Sequence, residues 1–257
     1  MKTLFYFMLI MPCYLCSNAD AQPKNNNVKV GETGFLKIAF NNLVNQQPVV
    51  LYDSTYVNPF GENYTINKFK YYISNTTLYS SGKAFKIKND YHLINQSIDS
   101  SLNFTINLPE NQYDSIQFLL GVDSVLNTSG AQTGALDPMN DMFWTWNSGY
   151  VMEKLEGTSP QSTAINNKME YHIGGFSGAY SVLNYLMLSF PKEKILQVQK
   201  GKISTMIIDV EINKFWDAER KIKISDMPVC TSPGILAKQM AGNFSRLFSI
   251  AVIMNEN

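Results

Sequence analysis

Short runs of alternating apolar and polar residues are the feature that most constrains the fold of this chain. FLKIAF (residues 35–40) and SLNFTINL (residues 101–108) carry apolar side chains at every second position, as on a strand with one buried face. Similar runs recur at short intervals up to residue 213, with Gly, Asn, Asp and Pro between them. Because such spacing favours hairpin connections over βαβ units, the pattern predicts an all-β, antiparallel β-sandwich.

One α-helix is predicted after the strands, at residues 233–248. Ser232 can cap its N-terminus, and Pro233 suits the first turn. Gly242 weakens the helix by about 1 kcal/mol relative to Ala. The apolar residues share one face, which would pack on the sandwich: Leu236, Met240, Phe244 and Leu247/Phe248.

A Trp-rich segment follows a loop rich in Gly, Asp and Pro in the middle of the chain. Phe143, Trp144, Trp146 and Tyr150 lie within eight residues, and on a single strand the two tryptophans would share a face. Aromatic clusters of this kind usually form a core. The chain has only two histidines, each inside an apolar run, so a small metal site using imidazole ligands remains a second interpretation.

Longer motifs in the same region resemble a known family. GAQTGALDP (residues 130–138), MFWTWNSGY (residues 142–150), KLEG and YHIGGF are similar to the conserved run of the MbnP-like proteins, and YHLIN to their first half. That family is named after a periplasmic copper-binding protein associated with methanobactin, and it is related to copper-repressed surface proteins of methane-oxidising bacteria. The resemblance covers residues 34–257, which are therefore interpreted as one MbnP-like β-sandwich domain.

The resemblance implies a copper site rather than catalysis. In such proteins a mononuclear copper is held by histidines beside a kynurenine made from tryptophan after export. Carried over residue by residue, the copper ligands are His92 and His172, and the oxidised residue is Trp144 or Trp146. The resemblance also implies a di-haem oxidising partner protein. One departure is Asn41 and Asn42, where some relatives offer a further histidine.

A different function class remains open: a β-sandwich module that binds a glycan or protein through an aromatic platform of Trp144, Trp146 and Tyr150. The charges cancel, with 21 Lys and Arg against 21 Asp and Glu, which argues against nucleic-acid binding. No recognisable catalytic motif occurs. Glu153 and Glu156 could suggest a glycosidase pair, but their position beside Lys154 favours a solvated, ion-paired face.

The N-terminus has the pattern of a signal peptide over residues 1–21. Lys2 precedes an apolar run at residues 4–11 that is too short to span a bilayer, and Ala21 ends a small-residue cleavage site. A lipid anchor on Cys16 is the alternative. Residues 22–33 then form a flexible segment, and the mature chain is expected in the periplasm or at the cell surface without a transmembrane segment. It would keep only Cys230, as a buried thiol without a disulfide.

Overall fold

Alternation of buried and exposed side chains governs several strands of this protein. In β1 (Thr33–Val44), Leu36, Ile38 and Phe40 are buried while the residues between them are partly or fully exposed. The computed structural model describes residues 1, 32–144, 149–191 and 193–256. Strands dominate the described residues, so the predicted all-β, sandwich-like fold is confirmed.

The elements follow in chain order. The first half contains β2 (Gln47–Pro48), β3 (Tyr56–Val57), β4 (Asn63–Tyr64), β5 (Lys68–Ser80), β6 (Lys83–Lys86), β7 (Tyr91–Asn95), β8 (Asn103–Pro109), β9 (Asn111–Tyr113), β10 (Ser115–Leu120) and α1 (Ser124–Asn127). The second half contains β11 (Phe143–Trp144), β12 (Gly149–Thr158), β13 (Lys168–Gly174), β14 (Asn184–Ser189), β15 (Leu196–Val198), β16 (Ile203–Glu211), β17 (Val229–Cys230), α2 (Ile235–Phe244) and β18 (Phe248–Met254).

Two sheets form the layers. In the smaller sheet β16 lies between β18 and β1, and β1 also pairs with β8 and β2. In the larger sheet β5 is the central strand. It pairs with β6, β7, β10 and β12, while β14 extends the sheet beyond β10 and β13 and β17 extend it beyond β12. Most pairs are antiparallel, as predicted, but β1 with β16 and β13 with β17 are parallel.

Aromatic side chains fill the space between the sheets. Phe40 of the smaller sheet meets Tyr71 of the larger one edge-on, with ring centroids 6.0 Å apart, and Phe248 contacts Tyr71 and Phe118. Helix α2 adds Phe244, which packs against Phe69 and Tyr71. These rings define the inner face of the larger sheet, because alternate residues of β5 must point away from them.

The predicted C-terminal helix exists but is shorter than expected. It ends at Phe244, and the chain continues into β18, which pairs with β16 along its full length. Phe248, assigned from sequence to the helical stripe, therefore belongs to a strand. The apolar run at residues 48–52 contributes only Pro48 to β2 before a turn. Helix α1 is a single turn capped by Asp123.

The Trp-rich segment is not one strand as the sequence suggested. Phe143 pairs with Tyr150 and Trp144 with Gly149, so β11 and β12 form an antiparallel pair. Trp146 lies outside the described residues, and the shared face predicted for the two tryptophans therefore stays a prediction.

Most of the predictions for the N-terminus concern residues outside the described part of the chain. This applies to the signal peptide (residues 1–21) except Met1, to Cys16, and to residues 22–31 of the following segment. Within the described residues, no helix has the length and apolar character needed to cross a membrane. Cys230 is buried, as expected, and its thiol is free.

Candidate metal centre

Two rows of charged side chains cross the outer face of the larger sheet. Lys154 of β12 pairs with His172 of β13 on one side and with Lys70 of β5 on the other. Two residues further along, Glu156 pairs in the same way with Glu170 and Lys68. Paired residues project to the same face, so the two rows are adjacent. The strand sequences dictate this, because Met169, Tyr171 and Ile173 of β13 are buried on the inner face.

His172 and two carboxylates converge within these rows. The distance from His172 Nε2 is 2.8 Å to Glu156 Oε1 and 3.6 Å to Glu170 Oε1. One possible ligand atom from each residue lies within 4.8 Å of the others, and all three side chains are partly exposed. Among the described residues, no other cluster of three His, Cys, Asp or Glu side chains has this spacing.

Ammonium groups surround the cluster. Lys68 Nζ lies 3.2 Å from Glu156 Oε2, Lys154 Nζ lies 3.7 Å from Glu156 Oε1, and Lys168 pairs with Glu170. Partial burial alone would raise the pKa of the Glu156 carboxyl, but His172, Lys68 and Lys154 together lower it to about 2. Glu156 is therefore ionised throughout the physiological pH range.

Asp141 completes the network from the loop that precedes β11. Its carboxylate lies 2.9 Å from Lys68 Nζ and 3.0 Å from Lys154 Nζ, and its carbonyl oxygen also accepts a hydrogen bond from Lys154. Burial would raise the pKa of Asp141, but hydrogen bonds from the two lysines outweigh that effect and lower it to about 2. This carboxylate thus offsets part of the positive charge beside the cluster.

The donor set fits a divalent transition metal. One imidazole nitrogen and two carboxylate oxygens suit Cu(II) or Zn(II), whereas Cu(I) prefers softer or two-coordinate imidazole sites. His172 Nε2 already faces both carboxylates, so an ion there would replace a hydrogen-bonded proton. The lysines compete with a metal ion for the carboxylates, because each ammonium group stabilises the carboxylate that it contacts.

Trp144 lies directly against the strand that carries His172. A methyl group on Gly174 would stand 2.5 Å from Cζ3 and 2.6 Å from Cη2 of the indole. Gly174 is two residues after His172 on β13, hence on the same face. The Trp144 ring therefore occupies the position next to His172 along that face.

The structure does not bring the two predicted ligands together. β7 and β12 both pair with Lys70 and Tyr71 of β5, so they lie on its opposite edges. The strand of His92 is consequently three strand spacings from that of His172, or about 14 Å. His92 pairs with Ile73, an inner-face position, whereas His172 is on the outer face. One ion cannot contact both imidazoles in this arrangement.

His92 has its own surroundings. Its Nε2 lies 2.6 Å from Asp90 Oδ1, and its ring stacks on Phe104 with centroids 3.5 Å apart. Asp90 is buried and also accepts the backbone N–H of Thr76 at 2.8 Å. Burial would raise the pKa of Asp90, but the hydrogen bonds from His92 and Thr76 lower it. These contacts explain His92 as an oriented, hydrogen-bonded histidine.

The predicted aromatic platform is not exposed in the described part of the chain. Trp144 is 6% exposed and Tyr150 is 1% exposed, so neither ring offers a face to a glycan or protein. Tyr150 instead packs against Tyr72 and Phe143, and its hydroxyl donates to the carbonyl of Leu136.

Sequence reasoning identified His172 but missed Glu170, and it placed Glu153 wrongly. The signal for Glu170 was the spacing E-Y-H, which sets Glu170 and His172 on one face of a strand. Glu156 is ion-paired, as expected. Glu153 is not ion-paired. It lies on the opposite face of the strand from Glu156, on the inner face with Leu155, and it is 1% exposed.

Fold and cluster together define an all-β protein with a candidate metal centre on one sheet face. The family model for MbnP matches residues 33–232. The chain therefore belongs to the MbnP family. Its fold is similar to that of MbnP from Methylosinus trichosporium, with a TM-score of 0.53 at 11% sequence identity, over 78% of this chain and 83% of the other. No curated protein matches the sequence.

Proposed function

We propose that this protein is an exported copper-binding protein that holds one Cu(II) ion through His172, Glu156 and Glu170. The observation that carries the proposal is the convergence of these donor atoms within 4.8 Å. The copper is the metal that the resemblance to the family implies, and the role is binding or handling rather than catalysis. The sequence of residues 1–21 supports export to the periplasm or cell surface.

The oxidation state follows from the donors. A centre with two histidines would favour Cu(I), but His92 is about three strand spacings away. One imidazole with two carboxylates favours Cu(II), whose remaining positions water would fill. The same donor set also suits Zn(II) and discriminates poorly between the two ions. The selectivity for copper therefore has to be measured against zinc.

Trp144 is the tryptophan that we assign to the neighbourhood of the metal. The support is its contact with Gly174, on the same strand face as His172. Oxidation to kynurenine by a di-haem partner, as the resemblance implies, stays a prediction for Trp144 or Trp146. Peptide mass spectrometry of protein from its natural source would identify the modified residue, and two unmodified tryptophans would refute it.

Copper titration of the mature protein, with metal content measured after gel filtration, tests the site. We expect one Cu(II) per chain, and His172→Ala should lower the affinity by at least about tenfold, the loss expected for a ligand or its support. Glu170→Gln should lower it in the same direction. His92→Ala is the matched control, since it removes the other histidine and should leave the affinity unchanged.

A fourth substitution separates a metal site from a salt-bridge network. Lys68→Met removes an ammonium group that contacts Glu156, so copper should bind more tightly although an ion pair is lost. Thermal unfolding should show that each variant remains folded. Normal copper binding by His172→Ala, or weaker binding by Lys68→Met, would overturn this assignment and leave the cluster as a purely structural ion-pair network.

A further inference from the structure

A cleft beside α2 is separate from the candidate metal centre formed by His172, Glu156 and Glu170. Its volume is about 560 Å³, within the range of small-molecule sites. Three segments form it: the turn at Gly178–Tyr180, the loop carrying Glu219 and Arg220, and the first two turns of α2 with Lys238. We call it the α2 cleft.

The loop that carries Arg220 is held rigidly. Asn243 is fully buried, and its Oδ1 accepts the backbone N–H groups of Glu219 and Arg220, both at 2.9 Å. Its Nδ2 donates to the carbonyls of Phe215, at 2.8 Å, and Arg220, at 2.6 Å. One buried amide thus fixes both backbone polar groups of Arg220 and leaves its side chain exposed at the cleft. Such support reduces the ordering cost of binding.

The opposite side of the cleft is fixed as well. Lys238 Nζ donates to the carbonyl of Ala179 at 2.8 Å, which ties the turn at Gly178–Tyr180 to α2. That turn presents Tyr180, and α2 presents Ile235; their side chains are 54% and 65% exposed. The cleft therefore combines cationic and apolar walls, both on segments that are held in place.

Gly242 lies at the floor of the α2 cleft. A Cβ there would lie 3.0 Å from Glu219 Oε2, so a side chain would press on this carboxylate. A glycine inside a helix costs about 1 kcal/mol relative to Ala, and here its absence of a side chain keeps the cleft open. Glu219 is already paired with Arg246 through its Oε1, which leaves Arg220 and Lys238 as the cations of the cleft.

We propose that the α2 cleft binds a small organic carboxylate with an apolar body. Arg220 would receive the carboxylate, because guanidinium groups match its two oxygens. Lys238 adds a second positive charge, and Tyr180 and Ile235 contact the apolar part. Glu219 disfavours ions of higher negative charge, such as phosphate, through repulsion.

The test uses 4-phenylbutanoate as the probe and copper-free protein. NMR shift mapping should show saturable changes at Tyr180, Arg220 and Ile235 at millimolar probe, with little response to 4-phenylbutanamide or inorganic phosphate. Arg220→Gln should weaken binding by about tenfold or more, the effect of losing a charge-assisted pair. Arg220→Lys should give an intermediate affinity.

Controls separate the cleft from general charge effects. Lys88→Gln removes an exposed cation elsewhere and should leave binding unchanged. Arg220→Gln should melt at the wild-type temperature, since Arg220 contributes to holding the loop through its backbone and not through its side chain. No saturable binding by wild type, equal binding of the neutral amide, or an Arg220→Gln variant that binds normally would overturn the proposal.

Discussion

At the residue scale, Glu153 is the clearest conflict between chemistry and position. Its neighbours across β5 and β13 are Tyr71 and Ile173, both buried on the inner face. Neither carboxylate oxygen has a hydrogen-bond partner among the described residues. Burial therefore raises the pKa of the Glu153 carboxyl well above its usual range, and the neutral form is favoured in the folded protein.

Replacing Glu153 with methionine should stabilise the protein. An unsatisfied buried polar group costs about 1–3 kcal/mol, and methionine fills a similar volume without it. The raised pKa means that wild-type stability falls as pH rises above about 4.3, the unfolded value, by about 1.4 kcal/mol per unit up to the folded pKa. The gain from Glu153→Met should therefore grow over that range, measured by urea unfolding at several pH values.

Glu153→Gln is the control for this prediction. The amide removes the titration but keeps an unsatisfied polar group, so the pH dependence should disappear while most of the constant penalty remains. A Glu153→Met variant that is less stable than wild type at neutral pH would show that the carboxyl has a partner in solution.

Residue-scale features could be read from the sequence only in part. Alternation in V-M-E-K-L-E-G places Glu153 with Leu155 on one face and Glu156 with Lys154 on the other. The alternation alone therefore predicts the inner face for Glu153, but the charge of this residue favoured assignment to the solvated face. Glu170 and His172 could be placed on one face, but their approach to Glu156 depends on strand register, which no local pattern specifies.

At the element scale, the β11–β12 pair packs onto β13 through Gly174. The indole of Trp144 and the carbonyl of Tyr150 leave no room for a side chain there, since a Cβ would be 2.5 Å from the ring and 2.9 Å from the oxygen. The glycine is required by close packing rather than by backbone conformation. This contact sets the position of Trp144 relative to the cluster of His172, Glu156 and Glu170.

Gly174→Ala should destabilise the protein by about 1–3 kcal/mol, the usual cost of overpacking. It should also weaken copper binding, because β13 carries both His172 and the displaced contact. Thermal unfolding and copper titration measure the two effects. Gly234→Ala is the control: that residue has extended backbone, and its Cβ would meet nothing within 4 Å. Unchanged stability of Gly174→Ala would contradict the packing described for Trp144.

Element prediction succeeded where periodicity is long and failed where partners are distant. The strands β1, β8 and β16 follow their alternation. β18 was missed because a short apolar run after a helix fits either structure, and its strand conformation comes from pairing with β16. The parallel pairing of β1 with β16 joins residues more than 160 positions apart, which local sequence cannot specify.

At the scale of the whole molecule, Glu62 links the β3–β4 hairpin to a segment far along the chain. Its carboxylate accepts the backbone N–H groups of Ile224, at 2.8 Å, and Ser225, at 2.9 Å, and the side-chain amide of Asn58 at 2.7 Å. Burial alone would raise the pKa of Glu62, but the hydrogen bonds from Ser225, Asn58 and Ile224 outweigh it and lower the pKa. Glu62 is thus a carboxylate that the fold needs in its ionised form.

Glu62→Gln should therefore destabilise the whole domain at neutral pH by about 2 kcal/mol, the scale of hydrogen bonds to a charged group. A lowered folded pKa contributes stability that is complete above the unfolded value, about 4.3, and is lost as pH falls through the folded pKa. The difference between wild type and Glu62→Gln should accordingly be constant from pH 7 to about 5 and shrink below about 4. Urea unfolding of metal-free protein at each pH measures it.

Glu193→Gln is the matched control, since Glu193 is exposed and its substitution should change neither the stability at pH 7 nor its decline in acid. The unfolding slope with urea should stay the same in both variants, because the surface exposed on unfolding does not change. If Glu62→Gln matches wild type at pH 7, or if their difference widens as the pH falls, Glu62 does not act as an ionised link between the hairpin and residues 224–225.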